Sequence, residues 1–139
     1  NKKIANDKSD YKMIEPPSKS WWRNDPIKYY DFHISPNGSN IAIVSDEHIV
    51  TIWNSNFTEN IIEIPAHNHR VMDITFSNDG KYLATCSIDK TIKIWDVKSG
   101  NIIKTLNFYD EYDMHNQILF NGNSIISSTV KGQIYNYQF

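Results

Sequence analysis

Two stretches of this chain are one pattern written twice. NGSNIAIVSDEHIVTIWN (37–54) lies over DGKYLATCSIDKTIKIWD (79–96) without a gap. Gly38 falls on Gly80, Ala42 on Ala84, Ser45 on Ser87, Ile52 on Ile94 and Trp53 on Trp95, each 42 residues on. A third copy, NGNSIISSTVKGQIYNYQ (121–138), is degenerate but keeps the spacing. It sets Gly122 under Gly80, Ile125 under Leu83, Ile134 under Ile92 and Tyr137 under Trp95. Such a repeat constrains the fold more than composition does. One short unit cannot bury its own apolar face, so the copies must stack.

Each copy reads as short strands and turns. VMDITF (71–76) alternates apolar and polar with a period of two. SNDG (77–80) is a turn, and Gly80 supplies a residue tolerant of positive φ. YLATCS (82–87), TIKIWD (91–96) and NIIKTLNF (101–108) follow as strands, separated by IDK (88–90) and KSG (98–100). The first copy repeats the plan with YYDFHI (29–34), NIAIVS (40–45), IVTIWN (49–54) and NIIEIP (60–65). Four antiparallel strands in about 42 residues make one blade of a β-propeller. The fold class is all-β, with about three blades present.

At these residues the chain resembles the WD40 repeat family. The resemblance is carried by Ala66-His67, Ser77-Asn78-Asp79-Gly80, Leu83-Ala84-Thr85, Asp89 and Trp95-Asp96, and covers roughly 25–139. It implies a structural network of His67, Thr85, Asp89 and Trp95 in the middle blade. The physics agrees: a buried indole N–H without a partner costs about 1–3 kcal/mol, and a hydroxyl can accept it. The hydroxyl then needs an acceptor, and a carboxylate fixes the imidazole tautomer. In the first copy the same positions hold Asp25, Ile43, Glu47 and Trp53, so the network is expected to be absent there. In the third they hold Tyr109, Ser127, Lys131 and Tyr137, with a shift of register expected around FYDEYDMHN (108–116).

A closed ring has about 4–8 blades, and four would need about 160–180 residues. The chain has 139 and its last copy stops before a fourth strand. It therefore reads as part of a larger propeller, with repeats at 25–66, 67–108 and 109–139. Further sequence, another chain or self-association would complete the ring. Alone, the three blades are expected to behave poorly as a monomer, because open edges invite association. Residues 1–24 are polar and read as a tail or linker that could lend an outer strand to an adjacent blade. Trp21-Trp22 is the exception in that stretch, an aromatic pair that would pack on a blade or anchor a partner. The chain begins at Asn1, as expected of a fragment or processed product.

Net charge is −2, which gives no bulk reason to expect nucleic acid or a membrane surface. No apolar run approaches a membrane span. The single cysteine, Cys86, rules out an intramolecular disulfide framework and fits the cytoplasm or nucleus. It also argues against use of the sequons NGS (37–39) and NFT (56–58).

The candidates for chemistry are thin. His67 and His69 form an H-x-H pair, but zinc sites usually need three or four ligands. Ser87, His67 and Asp89 could be drawn as a triad, yet no nucleophile-elbow motif is present. DEYD (110–113) reads as a solvated acidic loop. No catalytic residue, metal or cofactor is expected.

The function expected is a non-catalytic protein-interaction scaffold with other proteins as partners. The alternatives are an adaptor subunit of a coat, ubiquitin-ligase or chromatin complex, or an exchange factor built on the ring. The binding face is placed on the loops of the middle blade. His69, Arg70 and Ile88 carry it, with Asp46 and Val130 at the positions equivalent to Ile88.

Overall fold

The computed structural model describes residues 28–108 and 113–139. Asp25, Tyr109, Trp21-Trp22 and the proposed tail lie outside them. Eleven strands form three antiparallel sheets. The first contains β1 (Tyr29–Ile34), β2 (Asn40–Ser45), β3 (Ile49–Asn54) and β4 (Asn60–Pro65) in that order. The second contains β5 (Val71–Phe76), β6 (Tyr82–Ser87), β7 (Thr91–Asp96) and β8 (Ile102–Asn107), and the third β9 (His115–Asn121), β10 (Ser124–Thr129) and β11 (Ile134–Gln138). The sheets are blades of a partial propeller. Among the described residues no helix is long and apolar enough to cross a membrane.

Burial explains the strand patterns. The middle blade is covered on both faces, so β6 is buried almost throughout, whereas β8 at its outer edge is mostly exposed. Val44, Val50, Ile52 and Ile64 of the first blade meet Val71, Ile74, Phe76, Leu83 and Trp95 of the second. The opposite face of the second blade presents Ala84, Cys86, Ile92 and Ile94 to Ile118, Phe120 and Ile125 of the third. Alternate residues of one strand thus serve two different cores. The end faces of the stack lack such cover: Phe32 is 66% exposed on the first blade and Ile134 is 76% exposed on the third.

The turn joining the second and third strands recurs in every blade. His48 donates its amide to the Ser45 carbonyl, Lys90 to Ser87 and Gly132 to Thr129. These donors sit at φ of 65°, 67° and 80°, as a type I turn ending in a left-handed residue requires. Only the third copy has glycine there.

The third blade departs from the 42-residue spacing in one place. Phe76 pairs with Leu83 in the second blade, and Phe120 pairs with Ile125 in the third. The second strands are 42 residues apart, but the first strands are 44 apart. Two extra residues precede β9, so the 42-residue spacing that sets Tyr109 under His67 does not hold on this side of the blade.

Hydrogen bonds between blades reinforce the apolar contacts. The Tyr30 hydroxyl donates to the Val71 carbonyl at 3.0 Å, and the Phe76 amide donates to His33 Nδ1 at 3.2 Å. On the other seam, the Ile118 amide donates to Asp73 Oδ2 at 2.7 Å. Burial raises the Asp73 pKa despite this bond and a second one from the Ile74 amide.

Candidate functional site

The middle blade holds a buried chain of side chains from four segments. His67 follows β4, Thr85 lies on β6, Asp89 in the β6–β7 turn and Trp95 on β7. Trp95 Nε1–H donates to Thr85 Oγ1 at 3.0 Å. The Thr85 hydroxyl donates to His67 Nε2 at 2.7 Å, and His67 Nδ1–H donates to Asp89 Oδ2 at 2.8 Å. This placement of the protons is the one that satisfies each group in turn. Asp89 Oδ1 accepts from the hydroxyl and amide of Thr91, while Oδ2 also accepts from the Asn68 amide. Burial lowers the His67 pKa more than Asp89 raises it, so the ring is neutral at pH 7. Burial would raise the Asp89 pKa, but the Thr91 hydroxyl and then His67 outweigh it and keep the group ionised. The indole at the end of β7 is thus the terminal donor of a polar chain, a task that leucine could not perform.

The network's geometry does not form a catalytic triad. The Ser87 hydroxyl donates to the His69 carbonyl at 3.1 Å and accepts the Asp89 amide, while Thr85 occupies His67 Nε2. Cys86 is fully buried, its thiol faces the His115 carbonyl at 3.7 Å, and burial pushes its pKa up. Among the described residues no group of three or more His, Cys, Asp or Glu is placed to hold a metal ion.

The first blade satisfies its tryptophan differently. Ile43 stands where Thr85 stands, and Trp53 Nε1–H donates instead to Thr51 Oγ1 on its own strand at 3.2 Å. Glu47, at the Asp89 position, keeps Oε1 buried without a partner. Asp89→Ala should therefore cost about 1–3 kcal/mol, since it leaves the imidazole N–H and two amides without their acceptor. Glu47→Ala should cost less than about 0.5 kcal/mol, because it removes an oxygen that satisfies nothing. Denaturant melts of both variants in the full-length protein compare them, and equal losses would refute the network as the cause.

In the third blade the polar chain is rewired. Ser127 has the Thr85 position, but its partner is His115 Nδ1 at 2.7 Å, from the first strand itself. The acid also changes sides. Asp89 reaches from the turn to the loop amide of Asn68, whereas Asp113 reaches from the loop to the turn amide of Lys131 at 3.2 Å. Asp113 is only 4% exposed, which corrects the reading of DEYD as a solvated loop at this residue. Sequence reasoning missed His115 and Asp113 because the two extra residues hid their place. Phe120 beneath Phe76 was the signal that could have revealed them.

The loop-face residues lie at equivalent points of the three blades. The amides of Asp46, Ile88 and Val130 donate to the carbonyls of Lys28, Arg70 and Met114 respectively, at 2.8, 3.1 and 3.0 Å. Each bond pins the second turn of a blade to the segment before its first strand. Ile88 is 38% exposed and Val130 52%, while Asp46 is half-buried. His69 and Arg70 are exposed, and the Arg70 guanidinium lies 5.1 Å from the Tyr30 ring centroid. The five residues therefore share one face, in which apolar turn positions alternate with charge.

A family model described as "WD domain, G-beta repeat" matches residues 58–96. A WD40 repeat-containing protein of Dictyostelium discoideum is 37% identical over 84 residues, covering 58% of this chain and 13% of its own length. COMPASS component SWD3 of Saccharomyces cerevisiae is 34% identical over 94 residues, covering 68% of this chain and 30% of its own length. The chain thus spans less than a third of either relative. The crystal structure of RRP9 WD40 repeats superposes with a TM-score of 0.73 over 84% of this chain and 37% of that one, at 20% identity. That likeness is one of fold.

Proposed function

Because this chain is built of WD40 repeats, we propose that it is a non-catalytic scaffold that binds other proteins through the loop face of its blades. The observation that carries the reading is the shared pinning of Asp46, Ile88 and Val130. It holds exposed side chains at fixed points of a stiff framework, which is how loops on rigid scaffolds carry binding. Ile88 beside Arg70 and His69 offers an apolar centre with a charged rim, the chemistry of an interface. Arg70, already steadied by the Tyr30 ring, would add a charge-assisted bond to a partner's carboxylate. That one relative is by its name a component of an assembly supports reading this chain as part of a subunit.

The test is Arg70→Glu and Ile88→Asp in the full-length protein, with partners quantified after affinity purification and a melt as the folding control. Loss of at least one partner by about tenfold is expected for each, the scale of a residue costing above 1 kcal/mol. Retention of every partner by two normally folded variants would remove this blade's loops from consideration.

A further inference from the structure

The middle blade carries a cation of its own on β7. The Lys93 ammonium lies 5.7 Å from the Trp95 ring centroid and donates to the Ala66 carbonyl at 2.7 Å. Lys93 pairs with Thr85 and Trp95 with Leu83. In the third blade Tyr135 pairs with Ser127 and Tyr137 with Ile125, so the two tyrosines hold the same two places. The resident ammonium is replaced by a ring.

A cavity of about 180 Å³ opens there, between the end of β8 and the third blade. Its walls include Phe108, Asp113, His115, Thr129, Tyr135 and Tyr137. The rings of Tyr135 and Tyr137 are stacked with centroids 5.9 Å apart. Phe108 lies 5.4 Å from Tyr137, and His115 lies 5.4 Å from Tyr135. Asp113 spends Oδ1 on the Lys131 amide, while Oδ2 is buried with no donor within hydrogen-bonding distance. Burial would raise the Asp113 pKa, but the surrounding polar groups, Thr129 first and then the Lys131 amide, hold it below the ordinary carboxylate value. Burial lowers the His115 pKa, so the imidazole is neutral and does not compensate that carboxylate.

Ring faces and an unspent carboxylate oxygen attract a cation and repel an anion. The volume is below that of pockets for drug-sized ligands, about 300–1,000 Å³, and suits one side chain. We propose that this cavity receives the alkylammonium group of a lysine or methyl-lysine side chain from a partner protein, in the place that Lys93 fills in the neighbouring blade. The inference stands apart from the loop face of the middle blade, and Arg70→Glu should leave it intact.

The probes are short peptides carrying trimethyl-lysine, lysine, or the neutral isostere with a tert-butyl group in place of the trimethylammonium. Binding to the full-length protein is followed by calorimetry and by the ring resonances of Tyr135 and Tyr137. Both charged peptides should perturb those rings and bind at least about fivefold more tightly than the isostere. Asp113→Asn and Tyr137→Leu should weaken the charged peptides by a similar factor. Tyr135→Lys, which installs the arrangement of the middle blade, should melt normally and no longer bind them. Should that variant fail to fold, Asp113→Asn decides. Equal affinity for the neutral isostere, no ring perturbation at millimolar peptide, or undiminished binding by a folded Tyr135→Lys variant would overturn the proposal. Choline binding more tightly than the trimethyl-lysine peptide would overturn the assignment to a protein side chain.

Discussion

Thr85→Val should destabilise the middle blade by about 2–4 kcal/mol while leaving its shape unchanged. Valine conserves the volume of a residue that is fully buried, so no cavity forms. What disappears is the one oxygen that both accepts the Trp95 indole N–H and donates to His67 Nε2. Trp95 is 4% exposed and His67 7%, so water cannot easily replace the hydroxyl for either. Two groups lose a partner in one substitution, and each carries a penalty of about 1–3 kcal/mol. Thr85→Ser keeps the hydroxyl and should recover most of the loss. Hydrogen exchange and denaturant melts of the full-length protein report the change where it occurs. A loss for valine no larger than for serine would mean that the polar chain adds nothing beyond apolar packing.

The second large effect is expected at a seam between blades. Asp73→Ala should cost about 1.5–3 kcal/mol, the range for hydrogen bonds to a charged group. No backbone ladder joins β5 to β9, since they belong to separate sheets. The carboxylate bridges them by accepting the Ile118 amide at 2.7 Å. Asp31 occupies the equivalent place in the first blade, but its recorded bond is only to the neighbouring amide of Phe32. Asp31→Ala is therefore the internal control and should cost less than about 1 kcal/mol. Faster exchange at the Ile118 amide, with β6 and β7 still protected, would locate the damage to the seam. Asp73→Asn should fall between, because it keeps an acceptor and relieves the burial of a charge. Equal losses at Asp31 and Asp73 would show that the bridge between blades is not the source.

The strands of the first two copies were legible because each pairs with its neighbour in a register that the repeat preserves. Val71–Phe76, Tyr82–Ser87 and Thr91–Asp96 begin and end where alternation and turn residues place them. Gly80 marks a turn through a backbone angle that few other residues accept, and its φ is +71°. Lys90 and His48 carried no such signal, although both adopt positive φ. There the fold imposes the angle on residues that do not prefer it, and only the third copy answers with Gly132.

The sequence by itself determined the repeat, the all-β class and the candidate polar chain of the middle blade. Those follow from local periodicity and from residues held at constant spacing within one copy. Tertiary structure alone decided how the copies meet. A shift of two residues before β9 moves the imidazole from a loop onto a strand and sends the acid across from the opposite side. It also decided that Tyr135 and Tyr137 face a cavity beside a buried Asp113, where the preceding blade seats Lys93. Alternation records which side of a strand a residue takes. It does not record what the next blade places against that side, because that contact joins residues far apart in the chain whose relative position is fixed only when the blades pack.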